Sequence, residues 1–110
     1  MAQPAREIVE QAERARREHR PADAQALYER AVALFRAGDD ALALAHTIRH
    51  LGDVHREAGR VEQAERCYLE ALALYRGHER TPPLDLANAL RPLAILEDAA
   101  GKVEEAGRLW

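Results

Sequence analysis

The chain has 110 residues, which is enough for one small domain and too few for a large catalytic architecture. Its 19 acidic and 16 basic side chains give a net charge of -3 and are mixed along the sequence. This mixing excludes the clustered basic surface that nucleic-acid binding requires. Serine is absent and threonine occurs only at Thr47 and Thr81, while alanine is abundant. This composition favours helix over strand, so we expect an all-α protein.

Helical periodicity predicts six helices in chain order, near residues 4–18, 21–37, 40–58, 61–76, 82–99 and 102–110. Asp39 is a predicted N-cap, and Thr81 followed by Pro82 predicts another. Glycines are expected to close the helices as left-handed C-cap residues, at Gly38, Gly59, Gly77 and Gly101. Pro92 falls inside the fifth predicted helix, where it either kinks the helix near Asn88 to Arg91 or is tolerated at a solvent-facing site.

An internal repeat relates the helices. Residues 24–36 and 64–76 match at a spacing of 40, and the identical pairs include Tyr28 with Tyr68 and Ala31 with Ala71. A third copy repeats residues 59–68 from residue 101 onward, at a spacing of 42. The matches extend upstream of the glycine turns, so each unit consists of two helices joined by a turn. Small residues recur where the two helices of a unit meet, and a bulky side chain would overpack that contact. These positions are 12, 52 and 94 on the first helices and 24, 64 and 106 on the second.

The second unit has Leu51-Gly52 on its first helix and Gly59 at the turn. Its second helix has small or aromatic residues at Ala64, Tyr68 and Ala71. This pattern resembles the tetratricopeptide repeat, and the spacing is similar to the longer repeats of kinesin light chains and many bacterial proteins. The resemblance implies a right-handed superhelical stack of antiparallel hairpins. The hairpins would span approximately 4–37, 40–76 and 82–110, with the last one incomplete.

The resemblance also implies a function. In this family the first helix of each hairpin lines a concave groove that holds a segment of a partner protein. Carried onto this sequence, the groove positions of the second repeat are His46, Arg49, His50, Asp53, Arg56 and Glu57. The other repeats contribute Asn88, Arg91, Asp98, Arg6, Glu10, Glu13 and Arg16. A plain solvated helix face explains the same charges equally well. If the groove binds a partner, Arg49, His50, Arg56 and Arg91 favour an acidic peptide.

Two other functions have some support in the sequence. The chain ends before the third hairpin is complete, so an apolar surface formed by Leu93, Leu96, Leu109 and Trp110 predicts self-association, covering by a partner or a longer natural chain. A homodimer built for assembly is the second hypothesis. A remote third is a metal site, because His46, His50 and Asp53 fall on one helix face.

Other features of the sequence argue against catalytic activity. No serine nucleophile, phosphate-binding glycine loop or paired catalytic cysteine is present, so we expect neither an enzyme nor a cofactor. Cys67, the only cysteine, and His55 both fall on packed helix faces and are interpreted as packing residues. Because no apolar run is long enough to span a bilayer and the first residues lack a secretory signal, we expect a cytoplasmic protein without membrane contact.

Overall fold

The computed structural model describes residues 4–77 and 90–92. Four α-helices account for most of the first range: α1 Ala5–Arg17, α2 Pro21–Ala37, α3 Ala41–Glu57 and α4 Val61–Arg76. Residues 90–92 are also helical, and neither range contains a strand. The all-α prediction is therefore confirmed, and the first four predicted helices agree with the structure to within one residue at each end. The predicted helix at 102–110 and most of that at 82–99 lie outside the described residues.

The helices form two hairpins that pack side by side. α1 contacts α2 and α3 contacts α4, while α2 joins the two hairpins by packing on α3. Large side chains from all four helices fill the core, and the most completely buried are Ile8, Tyr28, Ile48, Val54, Tyr68 and Tyr75. This arrangement leaves α1 and α3, the first helices of the hairpins, as neighbours on one side of the stack.

Within the second hairpin, α3 and α4 meet at Gly52. A Cβ atom added there would lie 2.8 Å from Cε1 of Tyr68 and 3.0 Å from Cβ of Cys67. The small side chains of Ala12, Ala24 and Ala64 are fully buried as well. The expectation that small residues permit close helix approach is confirmed directly at Gly52, whereas positions 94 and 106 lie outside the described residues.

Cys67 packs against the core beside this contact. Burial, followed by the charge of Glu70, raises the pKa of its thiol to about 11. The thiol therefore stays protonated at neutral pH, and a poorly nucleophilic, partly buried cysteine agrees with the predicted packing role.

Gly52→Ala tests the close contact. Alanine favours a helix over glycine by about 1 kcal/mol, but the conflict with the Tyr68 ring is expected to outweigh that gain and to lower the free energy of unfolding by about 1 to 3 kcal/mol. Chemical denaturation followed by circular dichroism measures the change. Gly38→Ala is a control for adding a Cβ where there is room, because a Cβ at this residue, which follows α2, would lie 3.6 Å from its nearest neighbour. A Gly52→Ala protein as stable as wild type would contradict the overpacking argument.

Two details of helix capping differ from the sequence predictions. The N-cap of α3 is Asp40, whose side chain accepts a hydrogen bond from the Ala43 amide at 3.0 Å, so the prediction of Asp39 was wrong by one residue. Gly59 has the predicted left-handed backbone, with φ of +80°. Gly38 and Gly77 do not, since their φ values are -96° and -80°. Helices α2 and α4 end without a left-handed turn, so the prediction was wrong at these two glycines. Gly101 lies outside the described residues.

The α1–α2 turn contains a histidine where the α3–α4 turn contains glycine. His19 has φ of +59°, and it lies 40 residues before Gly59. A left-handed backbone costs a non-glycine residue roughly 1 to 2 kcal/mol because its Cβ crowds the following carbonyl oxygen. The first hairpin therefore carries strain that the second avoids.

His19→Gly is expected to raise the free energy of unfolding by about 1 kcal/mol, because it removes that crowding. Gly59→Ala is expected to lower it by a similar amount, although a Cβ at residue 59 would meet no atom within 4 Å. Thermal and urea unfolding of both variants measure the two changes. If both substitutions raise the free energy of unfolding, or both lower it, backbone conformation at these turns does not control stability.

Pro92 is buried in the helical stretch at 90–92. The solvent-facing interpretation of this proline was therefore wrong. The predicted kink begins at Asn88, which lies outside the described residues.

Candidate protein-binding groove

Side chains from α1 and α3 line two clefts on the side of the stack where these helices are neighbours. The larger has a volume of about 720 Å³ and is lined by Glu13, Arg16, Arg17, His19, Tyr28, His50 and Glu57. The smaller has a volume of about 300 Å³ and is lined by Arg6, Val9, Glu10, Glu13, Phe35, Ala43, His46 and Thr47. We call the two clefts together the α1–α3 groove. Glu13 borders both clefts, so the groove follows α1 along most of its length.

An ion pair joins α1 to α3 across the larger cleft. Arg16 donates two hydrogen bonds to Glu57, from Nε to Oε1 at 3.1 Å and from Nη2 to Oε2 at 2.5 Å. The guanidinium group holds the pKa of Glu57 below its usual range. Both side chains are partly exposed, so the pair contributes no more than about 1 kcal/mol to stability. Its structural effect is to fix Arg16 at the edge of the cleft.

Asp53 is the most highly connected side chain of α3. Its Oδ1 atom accepts a hydrogen bond from the Tyr68 hydroxyl at 2.5 Å and lies 3.6 Å from Arg56. Its Oδ2 atom lies 4.0 Å from Arg16. A buried tyrosine on α4 and two arginines on the first helices therefore hold one carboxylate in place.

Two histidines of α3 contact aromatic rings of the second helices. His46 Nδ1 lies 2.7 Å from the Tyr75 hydroxyl, and the two rings meet edge to face. The His50 ring stacks on Tyr28 with centroids 6.0 Å apart. Burial, followed by the charge of Arg49, lowers the pKa of His50, so this imidazole is neutral at pH 7.

The predicted groove residues are only partly brought together. Four α1 residues and three α3 residues border the same clefts, namely Arg6, Glu10, Glu13, Arg16, His46, His50 and Glu57. Asp53 and Arg56 join them through the ion-pair network around Arg16. Arg49 is half-buried, and Arg91 is exposed. The remaining predicted residues lie outside the described ranges: Asn88, Asp98, Leu93, Leu96, Leu109 and Trp110.

His55 lies apart from the groove. It is buried at 7% exposure, and its Nδ1 atom accepts a hydrogen bond from Nε of Arg60 at 3.0 Å. Burial, followed by the charge of Arg60, lowers the pKa of His55. The predicted packing role of this histidine agrees with its contacts.

Sequence reasoning missed the tyrosines as site residues, because their helical spacing assigned Tyr28 and Tyr75 to the core. Both rings are buried as that spacing predicts, yet their polar atoms meet groove histidines or border the cleft. The signal was present in the repeat: Asp53 precedes Tyr68 by 15 residues, and Glu13 precedes Tyr28 by the same number. Because Tyr68 bonds to the groove carboxylate Asp53 in the second repeat, Tyr28 is the corresponding candidate site residue in the first repeat.

The proposed metal ligands His46, His50 and Asp53 do not converge. His46 Nδ1 is close to Tyr75, and His50 Nδ1 lies 3.9 Å from Asp53 Oδ2. Across residues 4–77 and 90–92, no group of three or more histidine, cysteine, aspartate or glutamate side chains is placed to hold a metal ion. The described geometry therefore gives the metal hypothesis no support.

Two helical hairpins with buried small-residue positions, stacked with their first helices side by side, define a helical-repeat protein. A family model of the tetratricopeptide repeat matches residues 9–77. The chain belongs to the tetratricopeptide repeat family, whose repeats generally mediate protein–protein interaction. No curated protein and no solved structure matches the chain. None of the helices in the described ranges is long and apolar enough to cross a membrane.

Proposed function

We propose that this protein is a non-enzymatic interaction module that holds a segment of a partner protein in the α1–α3 groove. The observation that carries the proposal is the pair of clefts between the first helices of consecutive repeats. Polar and charged residues line the larger cleft, and the smaller one also has the apolar residues Val9, Phe35 and Ala43. A solvated helix face needs no such concavity. Extended or helical segments fit clefts of this kind, because neighbouring helices supply hydrogen-bonding side chains from both sides.

The partner-contacting residues proposed on α3 are His46, Arg49, His50, Asp53 and Arg56. In the third repeat the proposal extends the groove to Asn88 and Arg91.

An acidic partner segment follows from the distribution of charge. Arg16 is paired with Glu57, and Arg56 lies near Asp53, so these arginines are partly neutralised within the chain. Arg49 has no ion-pair partner within the described residues and is free to bind a partner carboxylate. We place this protein and its partner in the cytoplasm. The proposal leaves out nucleic acid because the acidic and basic residues are mixed along the chain, and it leaves out a membrane because no apolar run is long enough to span a bilayer.

A binding experiment with matched variants tests the proposal. The full chain, immobilised by an affinity tag, is incubated with lysate of its source cells, and bound proteins are identified by mass spectrometry. The groove variant is Arg49→Ala, Arg56→Ala, Arg91→Ala. The control is Arg30→Ala, Arg66→Ala, Arg76→Ala, which removes the same charge from exposed positions on α2 and α4. We expect the specific partner signal of the groove variant to be at least about tenfold lower than that of wild type, because charge-assisted hydrogen bonds each contribute about 1.5 to 3 kcal/mol.

Equal loss in both variants would show that net positive charge matters and the groove does not. Recovery of the chain itself as the only bound protein would contradict the proposal and favour the homo-oligomer hypothesis, which assigns assembly to Leu93, Leu96, Leu109 and Trp110. Circular dichroism of each variant before the experiment establishes that it is folded.

A further inference from the structure

Two buried polar atoms border the larger cleft without a hydrogen bond. They are the hydroxyl oxygen of Tyr28 and Nδ1 of His50. Within the described part of the chain neither makes a hydrogen bond, although Oδ2 of Asp53 lies 3.9 Å from Nδ1 of His50. Tyr28 is 0% exposed, and both residues line the cleft. Buried donors and acceptors are nearly always satisfied in folded proteins, because leaving one unpaired costs free energy. Two such atoms at one open cleft indicate a group that binds there.

The second repeat shows what satisfies the corresponding tyrosine. Tyr68 donates its hydroxyl proton to Asp53, which lies 15 residues earlier in the chain. In the first repeat the residue at that spacing is Glu13, whose side chain is one methylene longer. Glu13 does not accept a hydrogen bond from Tyr28, although its negative charge helps to raise the pKa of Tyr28. The side chain of Arg16 lies near Tyr28 and acts to lower its pKa. A guanidinium group can only donate hydrogen bonds, so the Tyr28 hydroxyl proton still has no acceptor among the described residues.

The charged side chains around the cleft balance one another. Glu13 and Glu57 are acidic, and Arg16 and Arg17 are basic. The lining therefore has no net charge that would favour a carboxylate or a cation beside Tyr28. His50 is neutral, so it contributes hydrogen bonding without charge. A neutral group with one donor and one acceptor matches these surroundings better than either ion.

We propose that Tyr28 and His50 form a subsite of the α1–α3 groove that hydrogen-bonds a neutral amide group of the partner polypeptide. The amide oxygen accepts from the Tyr28 hydroxyl. The amide N–H donates to Nδ1 of His50, whose proton is then on Nε2. Main-chain amides and asparagine or glutamine side chains share this chemistry. The inference rests on the proposed function, since it names the group that the groove recognises.

Nuclear magnetic resonance titration of the isotope-labelled full chain tests the subsite without any partner. The probes are acetamide, which represents a side-chain amide, N-methylacetamide, which represents the main chain, acetate and methylguanidinium. We expect at least one amide to shift the ring signals of Tyr28 and His50 along a saturable curve, and the tighter amide identifies the source. Acetate and methylguanidinium are expected to give no saturable shift at these rings. A saturable shift of these ring signals with acetate or methylguanidinium would overturn the proposal. The absence of a saturable shift with both amides would also overturn it.

Three variants separate binding from folding. Tyr28→Phe removes one hydroxyl group and is expected to abolish the saturable shift at His50 while leaving the unfolding temperature unchanged or higher. Tyr68→Phe, the matched control, is expected to lower the unfolding temperature and to retain amide binding. Glu13→Asp places the shorter acid of the second repeat beside Tyr28. It is expected to raise the unfolding temperature and to weaken amide binding at least about fivefold, because the new acceptor competes with the amide.

Equal destabilisation by Tyr28→Phe and Tyr68→Phe would overturn the subsite, because it would show that the Tyr28 hydroxyl is already satisfied within the chain. The titration uses no lysate and no groove arginine variant, so its failure is distinguishable from failure of the proposed function. Loss of partner capture in the Arg49, Arg56 and Arg91 variant together with a negative titration would leave the groove as the binding surface and remove only the amide subsite.

Discussion

The approach of the α3 backbone to the Tyr68 ring at Gly52 is the constraint on which the second hairpin depends. With no Cβ at residue 52, the ring lies against the helix and the two helix axes come close together. The first hairpin has a fully buried alanine, Ala12, at the same repeat position and Tyr28 opposite. The pair of a small residue and a tyrosine therefore sets the spacing between the helices in both repeats.

The same contact connects packing to the proposed binding surface. Since the Tyr68 ring crosses beneath α3, its hydroxyl group reaches Asp53, and this hydrogen bond fixes a carboxylate that also lies near Arg16 and Arg56. The core residue Tyr68 thus holds the Asp53 carboxylate in position within the groove. In the first hairpin the acid is Glu13, which is one methylene longer, and the Tyr28 hydroxyl makes no hydrogen bond to it. Repeats with the same backbone can in this way present different hydrogen-bonding groups.

The sequence predicted the helices and the repeat well because both are local. Apolar spacing and a 40-residue repeat determine the helices and their pairing. Within residues 4–77 and 90–92 the caps at Asp39, Gly38 and Gly77 were wrong, because cap geometry depends on a few backbone angles, and the solvent-facing alternative for Pro92 was wrong as well. The α3 groove positions followed from the family pattern. The sequence did not predict that His50 would stack on Tyr28 or that Arg16 would pair with Glu57, since both contacts join different repeats. Their geometry depends on how the hairpins pack and on side-chain rotamers, which periodicity does not specify.

Site-specific photo-crosslinking tests the central claim, that the α1–α3 groove is the working surface, most directly. The photoreactive amino acid p-benzoylphenylalanine replaces Arg49 in one protein and Arg30, an exposed residue of α2, in another, and each is irradiated in source lysate. The account predicts a discrete crosslinked partner from position 49 and none from position 30. A partner crosslinked from position 30 alone, or equally from both positions, would contradict it.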